Sequence, residues 1–121
     1  MIVIEKIYNY INISLKCLFA GEDLSVLIVG GDTPHIGSVT IYSKYEGVKS
    51  IILKNHKDYI ISEKFIEDIK DIVNGNIVVS CGIHVDNITR EQLNIVNKIS
   101  EEIFREFKEK FENIVLQKKN L

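Results

Sequence analysis

The sequence predicts an α+β domain, and three observations carry that reading. Residues 7–19 alternate between polar and apolar with a period of two, short apolar runs follow between glycine-bearing turns, and the last quarter keeps a helical period behind a capping box. In the first strand, Ile11, Ile13, Leu15, Cys17 and Phe19 share one face, with Asn12, Ser14 and Lys16 opposite. Gly21-Glu22-Asp23 supplies a turn into Val26-Leu27-Ile28-Val29, an uninterrupted apolar run of the kind a central strand carries. A glycine-rich loop over 30–37 leads to a third strand at 38–42. Tyr45-Glu46-Gly47 then turns the chain into a fourth at 48–53. Four consecutive strands with short links predict an antiparallel meander.

Ser62 reads as the cap of a short helix in which Phe65, Ile66, Ile69, Ile72 and Val73 form one apolar stripe. Asn74-Gly75 stops it, with Gly75 in the left-handed conformation. A fifth strand follows over 77–85. Thr89 with Gln92 three residues on forms the capping box of a long helix over about 90–116. Leu93, Val96, Ile99, Ile103, Phe107 and Ile114 keep its spacing, joined by Phe104 and Phe111. Such a helix is ~40 Å long, against a radius of gyration of roughly 14 Å for a domain of this size. Its aromatic edge either covers the sheet or serves a second subunit, so a homodimer is one expectation. A single domain over residues 1–121 is the other.

Lysine plus arginine (15) nearly balances aspartate plus glutamate (17). A chain without a basic surplus has no means of neutralising a phosphate backbone, which argues against nucleic acid as a partner. No run of apolar residues is long enough to cross a bilayer. Glu5 and Lys6 interrupt the N-terminus where an export signal would be apolar, so a cytoplasmic location is expected. Cys17 and Cys81 both fall in strand patterns rather than in a C-x-x-C, which predicts buried free thiols.

Three histidine-bearing segments hold the chemistry. In Gly30-Gly31-Asp32-Thr33-Pro34-His35-Ile36-Gly37, two adjacent glycines allow backbone N–H groups to converge on an anion, and Asp32 and His35 are near enough to share a polar site. The plainer reading is a strand connection that needs glycine to turn. In Asn55-His56-Lys57-Asp58, an imidazole and a cation beside a carboxylate suit a phosphate or a carboxyl group, or simply a solvated loop. In Gly82-Ile83-His84-Val85-Asp86-Asn87-Ile88-Thr89, His84 and Asp86 point to one side of an extended chain, just before a helix N-terminus that favours anions. Asp86 and Asn87 would also serve as caps, but capping gives His84 no purpose. A binding site for a phosphorylated ligand is one outcome. The alternative is a small metal-dependent enzyme in which His35, His56, His84 and Asp32 or Asp86 collect a divalent ion. No H-x-x-x-H, H-E-x-x-H or nucleophile motif is present.

Together these segments resemble the small accessory component of gallate decarboxylase, a family described as prenylated-flavin chaperone-like. The resemblance runs in the same order through the loop over 30–37, the His56-Lys57-Asp58 triplet and residues 82–89, covering nearly the whole chain. It implies a non-catalytic helper that binds or delivers prenylated FMN or FMN to a UbiD-type aromatic acid decarboxylase. It also implies a fold similar to proteasome-assembly chaperones. On that basis Gly30, Gly31 and the start of the last helix would receive the flavin phosphate with Lys57. His35, His84 and Asp86 would contact polar atoms of the ligand or the decarboxylase, with Asp32, His56, Asp58 and Asn87 completing the set. The sequence departs from the family at Asn55, where glycine is expected, and at Ser38-Val39-Thr40, which replaces a more alanine-rich stretch.

Overall fold

A computed structural model describes residues 1–53 and 57–119. The chain forms β1 (Ile2–Tyr8), β2 (Ile11–Ala20), β3 (Asp23–Gly31), β4 (Ser38–Ser43), β5 (Gly47–Ile52), α1 (Asp58–Ile69), β6 (Ile77–His84) and α2 (Arg90–Lys119). The α+β class matches the sequence reading, but one strand more precedes the first helix than was read, and the sheet is not a four-strand meander with a fifth strand added. It is one mixed six-stranded sheet in the order β1-β2-β3-β6-β4-β5. β1, β2 and β3 are antiparallel neighbours, β6 lies parallel to β3, and β4 pairs antiparallel with both β6 and β5. The connection over 32–37 is too long for a tight hairpin; it spans the slot that β6 fills after the chain has passed through α1.

Three boundaries differ from the sequence reading for local reasons. The alternation expected over 7–19 belongs to β2, and the residues before it form their own strand. The turn between them is Asn9-Tyr10, both with positive φ (49° and 58°), a primed hairpin turn made without glycine. α1 begins at Asp58 rather than at Ser62, and its N-cap Lys57 makes no side-chain cap bond. Ser62 is buried inside the helix, where its hydroxyl donates back to the Asp58 carbonyl (3.4 Å). The helix ends at Ile69, and Gly75 is not left-handed. Instead a Cβ at Gly75 would overlap the Glu22 carbonyl in the β2–β3 turn.

One face of the sheet is packed by both helices. Ile2, Ile4, Ile11, Ile13, Leu15, Cys17, Leu24, Val26, Ile28, Ile77, Val79 and Cys81 point to it and are buried. The capping box at the start of α2 forms as read: Thr89 N–H donates to Gln92 Oε1 (2.9 Å) and Gln92 N–H to Thr89 Oγ1 (3.1 Å). The aromatic edge of α2 fills this chain's own core. Phe65 lies 5.0 Å from Phe104 and 5.1 Å from Phe107, ring centroid to centroid, and Phe111 stacks on Phe107 and Phe19. Ser38 and Thr40 point to this packed face too. Thr40 is satisfied through Ser50 Oγ (2.8 Å), which donates to Glu63 Oε2 (2.7 Å), so this departure from an alanine-rich stretch builds a polar tie from β4 and β5 to α1.

Candidate functional site

Strands β3 and β6 run parallel and end together, with Gly31 registered against His84. Open α/β sheets tend to bind ligands beyond the carboxyl ends of parallel strands, where loops diverge and backbone groups are freed. The loops after β3 and β6 meet here. Asp32 N–H donates to the His84 carbonyl (2.6 Å), and Asp86 N–H donates to Asp32 Oδ2 (2.9 Å). Further along, Gly37 N–H donates to the Cys81 carbonyl (2.8 Å). The loop over 32–37 is thus stitched to β6 at both ends.

Both histidines in the described residues belong to this junction. Their rings lie edge to face with centroids 6.2 Å apart. His84 sits at the outward end of β6, its side chain 47% exposed, and its Nε2–H donates to Asp86 Oδ1 (2.9 Å), the pairing that their spacing predicts. His35 is more enclosed. Its Nδ1 lies 3.1 Å from the Thr33 carbonyl, which can only accept, so Nδ1 carries hydrogen in this contact. Its Nε2 faces Asp58 Oδ2 at 3.6 Å.

Asp58 is the buried hinge of the arrangement. It is the first residue of α1, and its Oδ1 accepts from Ile83 N–H on β6 (3.0 Å). Only 7% of the side chain is exposed. One carboxylate therefore ties the N-terminus of α1 to the end of β6 and faces His35. Its closest contacts are structural, which suits positioning better than direct ligand contact.

The glycines act by closeness. Gly30 and Gly31 are the last residues of β3, and a Cβ on them would overlap the carbonyls of Asn12 and His84. Gly31 alone of the two has positive φ (80°). Gly82 lies where the loop crosses β6, and a Cβ there would overlap the His35 carbonyl. Its role is invisible in the sequence, because within an apolar run Gly82 reads as an ordinary strand residue. Asn87 takes the left-handed conformation (φ 50°), which asparagine tolerates, and turns the chain toward α2.

Lys57 is exposed at the N-cap of α1. His56 and Asn55 lie outside the described residues, so the expected meeting of three histidines is documented for His35 and His84. Two further features are not evident from the sequence. Because α1 starts at Asp58, its N-terminus as well as that of α2 lies at the His84 end of the sheet, and two positive helix poles share that end. Exposed apolar side chains also belong to it: Ile36, Ile88 and, in the β1–β2 turn, Tyr10.

Among the described residues, no three His, Cys, Asp or Glu side chains gather closely enough to hold a metal ion. None of the described helices is long and apolar enough to cross a membrane. A separate cavity of about 240 Å³ lies at the other end of the sheet, lined by Phe19, Ile72, Phe111, Ile114 and Val115 with Lys118 at its edge. The histidine junction is the stronger candidate, because among the described residues only there do imidazoles, carboxylates, parallel strand ends and helix N-termini come together.

Cys17 and Cys81 are free and buried, as expected. Burial pushes the Cys81 thiol from its ordinary 9.0 up to about 12, with the negative charge of Asp58 adding to the effect. Burial likewise raises Cys17 to about 11. Neither is expected to react with a thiol reagent at pH 8 until the protein unfolds, and both should react afterwards; rapid labelling of native protein contradicts this. Because the folded thiols hold their protons more tightly, their contribution to stability is whole below pH 9.0. It declines as pH rises toward about 12.

The fold and this junction define a small α+β domain with an open histidine–aspartate surface at the ends of a parallel strand pair. The chain belongs to the prenylated flavin chaperone LpdD-like family, whose model matches residues 8–112. It is similar to Protein LpdD of Lactiplantibacillus plantarum, with 30% identity over 91 residues, covering 71% of this chain and 67% of that protein.

Proposed function

We propose that this chain is a non-catalytic accessory protein that binds prenylated FMN or FMN transiently and delivers it to a UbiD-type aromatic acid decarboxylase. It acts in the cytoplasm as one domain over residues 1–121, and as a homodimer. The likeness to proteasome-assembly chaperones that the sequence resemblance implies is part of the same proposal. Family membership supports the flavin-chaperone role. The observation that carries the site is the meeting of His35 and His84 over a stitched pair of loops, with both helix N-termini at the same end.

The residues fit such a ligand in kind. A flavin ring presents alternating N–H and C=O groups along one edge, and the second carboxylate oxygen of Asp86, beside the His84 ring that it orients, offers an acceptor to such an N–H. Lys57 and the helix N-termini favour its phosphate. Gly30 and Gly31 let the carbonyls of β2 and β6 close in on the end of β3, and Asp32, Asp58 and Asn87 hold the loops in shape. His56 belongs to the set by its place in the sequence beside Lys57. An enclosed cofactor site buries most of its ligand. A side chain as open as His84 suits a ligand that is passed on.

Equilibrium titration with FMN and with prenylated FMN, followed by flavin fluorescence, tests this reading. Saturable binding is expected, weakened about tenfold in His84→Ala by the loss of one hydrogen-bonding partner. No binding at millimolar concentrations of either flavin contradicts it.

A further inference from the structure

The end of the sheet remote from the histidines holds a second place of chemical interest, which the flavin reading leaves unused. Thirty residues make α2 about 45 Å long, while the ten of β2 span about 33 Å. The helix outruns the sheet it covers, and its apolar stripe continues toward its C-terminal end. Ile114 and Val115 carry that stripe past Phe111 and stay half-buried, as do Phe19 near the end of β2 and Ile72 after α1. These five side chains wall the cavity of about 240 Å³. An apolar cavity of roughly 150 Å³ is enough to bind benzene, so the space here admits one ring with a small substituent. It is too small for a flavin, because ligands of drug size and above occupy about 300–1,000 Å³.

The walls favour an aromatic occupant and the rim selects its charge. Phe19 and Phe111 both border the cavity, with rings only 17° from parallel and centroids 6.3 Å apart, a setting in which a third ring finds aromatic partners. Lys118, Lys119 and Glu22 stand at the opening. The C-terminal pole of α2 contributes roughly half a negative charge beside them, which part of the lysine charge offsets. Two cations against about one and a half negative charges leave the rim positive. Among the described residues neither lysine has an ion-pair partner. Lys118 Nζ lies over the Phe19 ring, 5.7 Å from its centroid. An anionic group held by Lys118 would therefore keep an attached ring against the aromatic wall.

We infer that this cavity binds a small aromatic carboxylate, with its ring among Phe19, Phe111 and Val115 and its carboxylate at Lys118. The inference goes beyond flavin binding and does not depend on it, because the two sites lie at opposite ends of the sheet and each titration can fail alone. Titrating the isotope-labelled full chain with sodium benzoate at constant ionic strength, while following backbone amide resonances, tests it. Saturable shifts are expected at Phe19, Gly21, Phe111 and Val115, with half-saturation at about 1 mM, ordinary for a ligand of so few atoms. Benzamide, the same shape without the charge, should bind about fivefold more weakly. Lys118→Ala should weaken benzoate about fivefold and leave benzamide unchanged, the loss of one partly solvated ion pair. Val115→Phe, which fills the cavity from a half-buried position, should abolish the shifts while far-UV circular dichroism stays that of the wild type. No saturation by about 50 mM benzoate overturns the inference, as does equal affinity for benzoate and benzamide. Shifts spread over lysines elsewhere on the surface, and undiminished in Lys118→Ala, overturn it as well.

Discussion

Gly82→Ala is expected to destabilise the protein by about 3 kcal/mol, the cost of overpacking where nothing can yield. The added methyl would overlap the carbonyl of His35 and crowd the amide of Ile36, which are backbone rather than side-chain tips. That backbone has little freedom to retreat. Asp32 N–H is bonded to His84 and Gly37 N–H to Cys81, while the Gly37 carbonyl accepts from Leu53 N–H (2.9 Å). Moving the loop breaks those bonds; keeping it strains β6. The urea midpoint should fall sharply, and the His35 ring resonances should shift because the ring is no longer held against His84. An unchanged midpoint with unchanged His35 resonances contradicts the role of Gly82 as the seat of the loop.

Asp58→Ala should cost about 2–3 kcal/mol, for two reasons that can be separated. The substitution leaves Ile83 N–H without its acceptor, a loss of roughly 1–3 kcal/mol for a buried donor. It also removes the carboxylate that faces His35 Nε2. Asp58→Asn keeps an oxygen for Ile83 and gives up only the charge, so it should lose less, about 1 kcal/mol. Thermal unfolding reads both, at roughly 3–5 °C per kcal/mol for a chain of this length. Equal losses in the two variants would mean that the amide bond to β6 contributes nothing, against the role of Asp58 as the tie between α1 and β6.

How far the sequence reached follows from which interactions are local. The alternation of β2, the turn at Gly21, the loop over 32–37 and the Thr89–Gln92 capping box all depend on neighbours a few residues apart, and all were legible. The His84–Asp86 pair was legible for the same reason, since two residues of extended chain place both side chains on one side. β1 was hidden because its turn uses Asn9 and Tyr10, and tyrosine is not a residue that announces a positive φ. The start of α1 was hidden because Lys57 is a poor cap, while Ser62 imitates a good one from inside the helix. The insertion of β6 between β3 and β4 could not be read at all. It is a pairing between distant segments, and the apolar runs of β3 and β6 say only that both strands are central.

The site divides along the same line. Several of the candidate residues have contacts that differ from the reasons their sequence suggests. Gly30 and Gly31, read as an anion nest, sit within the sheet where carbonyls of β2 and β6 come too close for a side chain. Asp58, read as one of three loop groups, is the buried link beneath the others. Gly82 and the N-terminus of α1 became visible only once the chain was folded.

The proposed function depends most on where a flavin touches this molecule. Titrating isotope-labelled protein with FMN while following backbone amide resonances answers that directly. The largest shifts are expected at Gly30, Gly31, Asp32, His35, His84, Asp86 and Asn87. Shifts concentrated instead at Phe19, Phe111 and Val115 around the far cavity, or no shifts at saturating flavin, would contradict a flavin site at the histidine junction.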